Sequence, residues 1–157
     1  MEGDVVSVER VVHAPPDAIF ALVADASRHP DIDGSGTVRQ AKPGAPEHLA
    51  LGSTFGMSMR MGIPYSMVNT VVEFEDGRRI AWQARPPGVL GRFLAGRIWR
   101  YELEPVDGGT LVRESWDVSE DHQRALLKRG KLPEITRTNM ERTLERIEQL
   151  VGGTSGS

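Results

Sequence analysis

One acidic residue lies on an apolar strand face, where it could carry acid–base chemistry. Glu114 alternates with Val112 and Trp116, so all three side chains are predicted on one face. A carboxyl group there would lose its hydration, which raises its pKa and suits it to act as a general acid or base. The alternative is an exposed ion pair with Arg100 or Arg113, because glutamate is rarely buried unpaired. Glu114 is the candidate catalytic residue.

Aromatic and amide side chains on the neighbouring strands are candidate anchors for a ligand. Trp82, Trp99, Tyr101 and Trp116 all lie in the second half of the chain, and each carries a polar hydrogen that needs a partner when buried. Strand parity puts Trp99 and Tyr101 on one face and favours them over Trp82. Asn69 is a second polar anchor. Simple core filling is the alternative for the tryptophans.

A methionine-rich strand supplies an apolar wall. Phe55, Met57 and Met59 recur at period two, which predicts one soft apolar face suited to irregular ligands. Met140 and Leu144 of a C-terminal helix are expected to close the site from the other side. A loosely specified core is the alternative interpretation.

The loop over residues 86–96 is unusually apolar for a connection between strands. Its glycines at positions 88, 91 and 96 would allow movement, so the loop is predicted to be a lid. The alternatives are packing against the outside of the sheet and a contact with another protein. The lid residues are Val89, Leu90, Phe93 and Leu94.

These candidates depend on a sheet whose strands follow one another along the chain. Residues 5–12 alternate as a strand, and Pro15, Pro16 and Asp17 then begin a helix, followed by a short helical turn near Pro30. Asp-Gly pairs at 76–77 and 107–108 predict tight antiparallel hairpins, and residues 62–64 predict a third. Six further strands are predicted, at 37–41, 54–61, 65–74, 79–84, 98–104 and 111–118.

The C-terminal region changes to a helical period. Met140, Leu144, Ile147 and Val151 recur at helical spacing and predict a long amphipathic helix. Residues 119–121 are expected to start an earlier helical piece. Gly130 with Pro133 is expected to break or kink the segment between the two helices. The predicted fold is α+β: a curved seven-stranded antiparallel sheet wrapped around the long helix, with a short helix pair after strand one and a cavity between them. Residues 1–151 form this domain, and 152–157 a flexible tail.

Composition narrows the function classes. The chain has 157 residues and a net charge of -3, with 39% hydrophobic and 26% charged residues, so one globular domain is expected and nucleic acid is not an expected partner. No cysteine occurs, no apolar stretch is long enough for stable membrane insertion, and the four histidines lack metal-site spacing. A cytoplasmic protein without metal or other cofactor is expected, as a monomer or homodimer.

Two stretches resemble a known family. Residues 11–25, Val-Val-His-Ala-Pro-Pro-Asp-Ala-Ile-Phe-Ala-Leu-Val-Ala-Asp, are similar to the first strand and helix of polyketide cyclase/dehydrase-like proteins of the START-like (SRPBCC) helix-grip superfamily. Residues 99–105, 108–110 and 114–116 resemble that family's last hairpin. The resemblance implies a helix-grip cavity for a sterol, lipid or polyketide, and only some members are catalysts. Many relatives have a tryptophan after the first helix, where this chain has residues 28–32, Arg-His-Pro-Asp-Ile.

Three hypotheses about function follow. The leading one is non-catalytic binding or carriage of a hydrophobic small molecule. The second is a cyclase, aromatase or dehydratase in which Glu114 moves a proton while Tyr101 and Asn69 orient a carbonyl-rich substrate. The third is a protein-interaction module that uses the 86–96 loop.

Overall fold

The computed structural model describes residues 3–152 as one curved antiparallel sheet with helices on its concave side. The sheet order is β1-β7-β6-β5-β4-β3-β2, and every neighbouring pair is antiparallel. This arrangement confirms the predicted α+β helix-grip fold. The seven strands are β1 Val5–Val12, β2 Val38–Ala41, β3 Thr54–Met61, β4 Ile63–Glu75, β5 Arg79–Arg85, β6 Ile98–Val106 and β7 Gly109–Asp117.

Four helices connect and fill this sheet: α1 Pro16–Val23, α2 His29–Ile32, α3 Arg124–Leu127 and α4 Leu132–Val151. α1 begins at Pro16 because proline has no N–H to lose in a first turn, and the carboxylate of Asp17 favours the positive end of the helix. A single 3-10 turn over Ala26–Arg28 joins α1 to α2. The predicted helix pair after strand one is therefore present.

The hairpins follow the predicted turns. Val106 pairs with Gly109 across Asp107 and Gly108, and Met61 pairs with Ile63 across Gly62, whose φ is +79°. Only glycine adopts that φ without strain, so Gly62 permits the tight reversal between β3 and β4. β4 begins two residues earlier than predicted because pairing with β3 continues up to this turn.

The segment between β7 and α4 differs from the prediction. The earlier helical piece starts at Arg124, not near residue 119, because Asp121 uses its Oδ1 to accept the backbone N–H of Gln123 at 2.7 Å and holds a turn there. Gly130, with a φ of +68°, separates α3 from α4. Pro133 does not interrupt a helix, because it lies in the first turn of α4, where a proline is tolerated.

α4 packs its apolar stripe into the concave side, mainly against β1. Met140, Leu144 and Ile147 are fully buried. Near the helix end, Glu148 accepts a hydrogen bond from Arg10 of β1 at 2.6 Å. Gly152 closes α4, and residues 153–157 of the predicted tail lie outside the described residues. The core thus lies between α4, α1 and the sheet.

Candidate functional site

Strand register brings the predicted polar and aromatic residues to one concave face. Tyr101 of β6 pairs with Glu114 of β7, and Trp99 pairs with both Trp116 and Trp82. Residues paired directly across antiparallel strands point to the same side of the sheet. On β3 and β4, Phe55 pairs with Asn69 on this side as well.

Glu114 lies at the centre of this face and is 4% exposed. Its Oε1 accepts a hydrogen bond from the Tyr101 hydroxyl at 3.0 Å. Its Oε2 is buried and has no hydrogen-bond partner among residues 3–152. A buried polar atom without a partner costs roughly 1–3 kcal/mol, which makes this oxygen a candidate contact for a bound molecule.

The exposed ion pair weighed as the alternative for Glu114 does not form. Arg100 points to the convex side and donates to Glu73 at 2.6 Å and to Asp117 at 3.4 Å. Arg113 pairs with Glu9. Both arginines therefore neutralise carboxylates on the outer face, and Glu114 has no cationic partner in the described part of the chain.

Burial dominates the acid–base behaviour of the pair. Loss of hydration raises the pKa of Glu114 to about 8, against a smaller opposing effect of the Tyr101 hydrogen bond. Burial also raises the pKa of Tyr101 well above its usual value, and the Glu114 charge adds to that rise. The carboxylate of Asp33 raises both pKa values further. At neutral pH the pair is thus a protonated acid beside a neutral phenol.

His29 joins this site and was not predicted from the sequence. Its ring stacks on Trp82 at 4.7 Å between centroids and meets Phe55 edge-on at 5.3 Å. Its Nε2 donates to the Val23 carbonyl at 2.8 Å, so Nε2 carries a proton. Burial lowers the pKa of His29. The available sequence signal was that residues 28–32, which include His29, depart from the pattern of the family that the chain resembles.

The parity preference for Trp99 over Trp82 was wrong. Both residues lie on the concave face, because Trp82 pairs directly with Trp99. Trp82 is the more deeply buried and its ring lies 5.6 Å from that of Tyr101, whereas Trp99 is half-buried and contacts the ring of Trp116 at 6.5 Å. Trp82 therefore belongs to the same aromatic group as Tyr101.

The side chains of the apolar wall become more exposed along β3. Phe55 and Met57 are buried, Met59 is half-buried and Met61 is exposed. Met140 and Leu144, on the inner side of α4, are both buried. The concave face is thus filled by side chains at its deep end and accessible near Met59.

The loop of the predicted lid is anchored on the other side of the sheet. Arg85 donates to the Gly91 carbonyl at 3.0 Å, and Gln83 donates to that of Gly96 at 3.0 Å. Both donors alternate with Trp82 and Ala84, so they point to the convex face. A depression of about 490 Å³ lies there under the loop. The predicted lid residues Val89, Leu90, Phe93 and Leu94 are all exposed.

Residues 3–152 contain neither a metal-ligand cluster nor a membrane-spanning helix. No three His, Asp or Glu side chains gather there closely enough to ligate a metal ion. No helix in that range has the length and apolar character needed to cross a bilayer.

A curved seven-stranded antiparallel sheet around a long C-terminal helix is the helix-grip fold of START-like proteins. Residues 4–152 match the family described as polyketide cyclase / dehydrase and lipid transport, and the chain belongs to that family. This finding confirms the resemblance noted in the sequence. A Mycobacterium tuberculosis protein named Uncharacterized protein Rv0088 is 34% identical over 128 residues, which are 80% of this chain and 51% of that protein. The chain spans about half the length of the curated relatives it matches.

Solved structures agree on the fold. Protein NE0264 from Nitrosomonas europaea superposes with a TM-score of 0.71 at 13% identity, covering 100% of both chains. The di-domain ARO/CYC StfQ from the steffimycin biosynthetic pathway gives 0.67 at 13% identity, over 98% of this chain and 52% of that one. The Aha1 dimer from Colwellia psychrerythraea gives 0.67 at 15% identity, over 94% and 96% of the chains.

Proposed function

We propose that this protein binds a hydrophobic small molecule, of lipid, sterol or polyketide type, on the concave face of its sheet. The observation that carries the proposal is the buried Oε2 of Glu114, which has no partner among the described residues. A protonated carboxyl there can donate to one oxygen of an otherwise apolar ligand. The surrounding aromatic rings would contact the apolar part.

The route to Glu114 starts at the open end of the wall. Met59 and Trp99 are half-buried, and Met59 has an unbranched side chain that can move aside. The rings of Trp82, Phe55 and His29 already contact one another, so a ligand that reaches Glu114 must shift some of these side chains. Binding is therefore expected to change tryptophan fluorescence.

The experiment is titration with a fluorescent fatty acid, read by probe emission, and competition with a sterol and an aromatic polyketide. Met59→Asp is expected to weaken probe binding about tenfold, because a charge would be placed on the apolar wall. Leu51→Asp is the matched control, since Leu51 is an exposed apolar residue outside the site. No saturable uptake of any probe, or equal weakening by both substitutions, would contradict the proposal.

The second candidate is proton-transfer catalysis of the cyclase or dehydratase type. The specific observation in its favour is the pKa of Glu114, raised to about 8, because a general acid works best when its pKa lies near the working pH. Tyr101 positions the carboxyl group through its hydroxyl, and the buried amide of Asn69 is the proposed anchor for a substrate carbonyl.

A poly-β-ketone probe separates the two candidates. If the protein is an enzyme, Glu114→Gln abolishes ring closure or water loss, measured by absorbance, yet retains probe binding. Turnover by the variant equal to that of the wild type would rule out the acid–base role. Binding without turnover in either protein would leave carriage as the function.

A further inference from the structure

Three separate segments meet at one end of the sheet. In an antiparallel sheet alternate connections lie at the same end. The β3–β4 turn, the β5–β6 connection over 86–97 and the β7–α4 segment over 118–131 therefore share an end with the start of α4. Contacts agree with this arrangement: Ala95 donates its N–H to Gln123 Oε1 at 2.7 Å, and Arg137 of α4 donates to the carbonyl of Ser7, near the start of β1.

Each of these segments presents large apolar side chains to solvent. Together they form a surface that we call the apolar rim, and Phe93 within it is 66% exposed. The opposite end, with the turns at 76–78 and 107–108 and the 42–53 connection, exposes fewer apolar side chains among the described positions: Leu51 is 67% exposed, and Val11 and Leu150 are only 42% and 43% exposed. The apolar rim consists of Met61, Ile63, Leu90, Phe93, Leu126 and Ile135.

Each apolar pair of the rim also has an exposed cation beside it. Arg60 precedes Met61, and Arg92 lies between Leu90 and Phe93. Arg129 and Lys131 lie between Leu126 and Ile135. None of these four cations forms an ion pair with any residue in 3–152.

The cations outnumber the exposed carboxylates of the same segments, which are Glu120 and Glu134. The chain as a whole is acidic, with a net charge of -3. Positive charge is therefore concentrated at the end that exposes apolar side chains. A second copy of this chain docking through the same surface would bring these cations together, which disfavours a symmetric dimer there.

We propose that the apolar rim docks on an anionic lipid surface. Apolar side chains that protrude beside basic ones are the combination that enters the headgroup region while the cations contact lipid phosphates. The half-buried Met59 and Trp99 lie at the same end, so the less buried part of the concave face is next to this surface. The docking surface does not depend on the ligand proposal, because it uses none of the buried residues of the concave face.

The test is sedimentation of the full chain with vesicles of phosphatidylcholine alone and with vesicles in which one quarter is phosphatidylglycerol. Binding is expected only to the anionic vesicles, and high salt should weaken it. Phe93→Asp is expected to abolish it, and Arg129→Glu with Lys131→Glu to weaken it about tenfold or more. These residues are exposed, so the thermal midpoint should change little.

Two variants at the opposite end are the matched controls. Leu51→Asp changes a side chain that is 67% exposed, and Arg78→Glu reverses an exposed charge. Both are expected to leave vesicle binding unchanged. The proposal fails if the wild type ignores anionic vesicles, or if Leu51→Asp reduces binding as much as Phe93→Asp. A third outcome also contradicts it: the wild type binds no vesicles but forms a dimer, and Phe93→Asp dissociates that dimer. The apolar rim would then be a contact between two copies of the chain.

Discussion

The hydroxyl of Tyr101 lies 3.0 Å from Oε1 of Glu114, and within residues 3–152 this is the one hydrogen bond that the carboxyl group makes. The two residues are direct partners across β6 and β7. The sheet therefore holds a phenol and a carboxylic acid together away from water. Because the carboxyl is buried and keeps one oxygen unpaired, its protonation should affect both stability and ligand binding.

The first prediction concerns stability between pH 5 and 8. Burial raises the folded-state pKa of Glu114 from 4.5 to about 8, so the folded protein holds a proton that the unfolded chain releases. Its stabilising contribution is complete below pH ~4.5 and is lost as pH rises through about 8, a change of about 4 kcal/mol. The glutamine of Glu114→Gln cannot titrate. As the pH rises from 5 to 8, the free energy of unfolding of this variant should therefore increase by about that amount relative to the wild type.

Urea denaturation at several pH values measures this difference. Glu104→Gln is the matched control, because Glu104 is an exposed carboxylate on the same hairpin. It should follow the wild-type pH profile. A constant gap between Glu114→Gln and the wild type over this pH range would show that Glu114 is not held protonated.

The second prediction concerns the hydroxyl of Tyr101. Its hydrogen bond lowers the pKa of Glu114, so Tyr101→Phe should raise that pKa further. The variant also leaves Oε1 without its donor, at a cost of roughly 1–3 kcal/mol in the free energy of unfolding. Carbon NMR of the Glu114 carboxyl measures the titration midpoint directly. A midpoint that stays the same or falls in Tyr101→Phe would contradict the assigned hydrogen bond.

The fold was largely predictable because each element has a local sequence signal. β3 occupies the residues predicted from the alternation of Phe55, Met57 and Met59. The Asp-Gly turn at 107–108 determines the last hairpin, and counting outward from it would also have paired Tyr101 with Glu114. The start of α3 was missed because Asp121 accepts the backbone N–H of Gln123, and this local turn delays the helix that residues 119–121 were expected to begin.

The candidate site was less predictable because parts of it depend on contacts between segments that are distant in the sequence. Glu114 follows strand alternation, so its side was predictable, but its missing ion pair depended on where Arg100 found partners. His29 begins the four-residue helix α2, which is too short to show periodicity, and only packing against Trp82 makes it part of the site. The 86–96 loop is apolar by composition, whereas its anchoring to the convex face depends on Gln83 and Arg85.

The third prediction concerns the buried imidazole of His29. Burial lowers its folded-state pKa below the unfolded value of 6.5. The unfolded chain therefore takes up a proton first as the pH falls, so this contribution to stability is complete above pH 6.5 and is lost below it. His29→Phe loses the hydrogen bond to Val23 and should be less stable at pH 7.5, by about 1 kcal/mol.

Lowering the pH should reduce the difference in free energy of unfolding between the wild type and His29→Phe. Phenylalanine does not titrate, so only the wild type loses the contribution of a neutral imidazole. Thermal melts from pH 7.5 down to pH 5 give the two profiles. Proton NMR of the His29 ring supplies an independent midpoint. If the gap between the proteins widens in acid, the imidazole is not held neutral by burial.

The last prediction tests the close approach of the α2–β2 loop to α4. A Cβ atom on Gly34 would lie 2.4 Å from the Asn139 carbonyl oxygen and 2.6 Å from the Thr143 nitrogen, and both are helix backbone atoms that cannot turn aside. Gly34 also donates its N–H to Thr143 Oγ1 at 2.9 Å, so displacing the loop breaks that bond. Gly34→Ala should therefore lower the free energy of unfolding by about 2–3 kcal/mol in urea denaturation. Gly56→Ala is the comparison variant: its new Cβ would meet Cγ and Cβ of Lys42 but no backbone atom, so it should lose less stability than Gly34→Ala. Similar losses in both variants would mean that α4 can move away from Gly34, and that the loop does not fix the helix over the concave face.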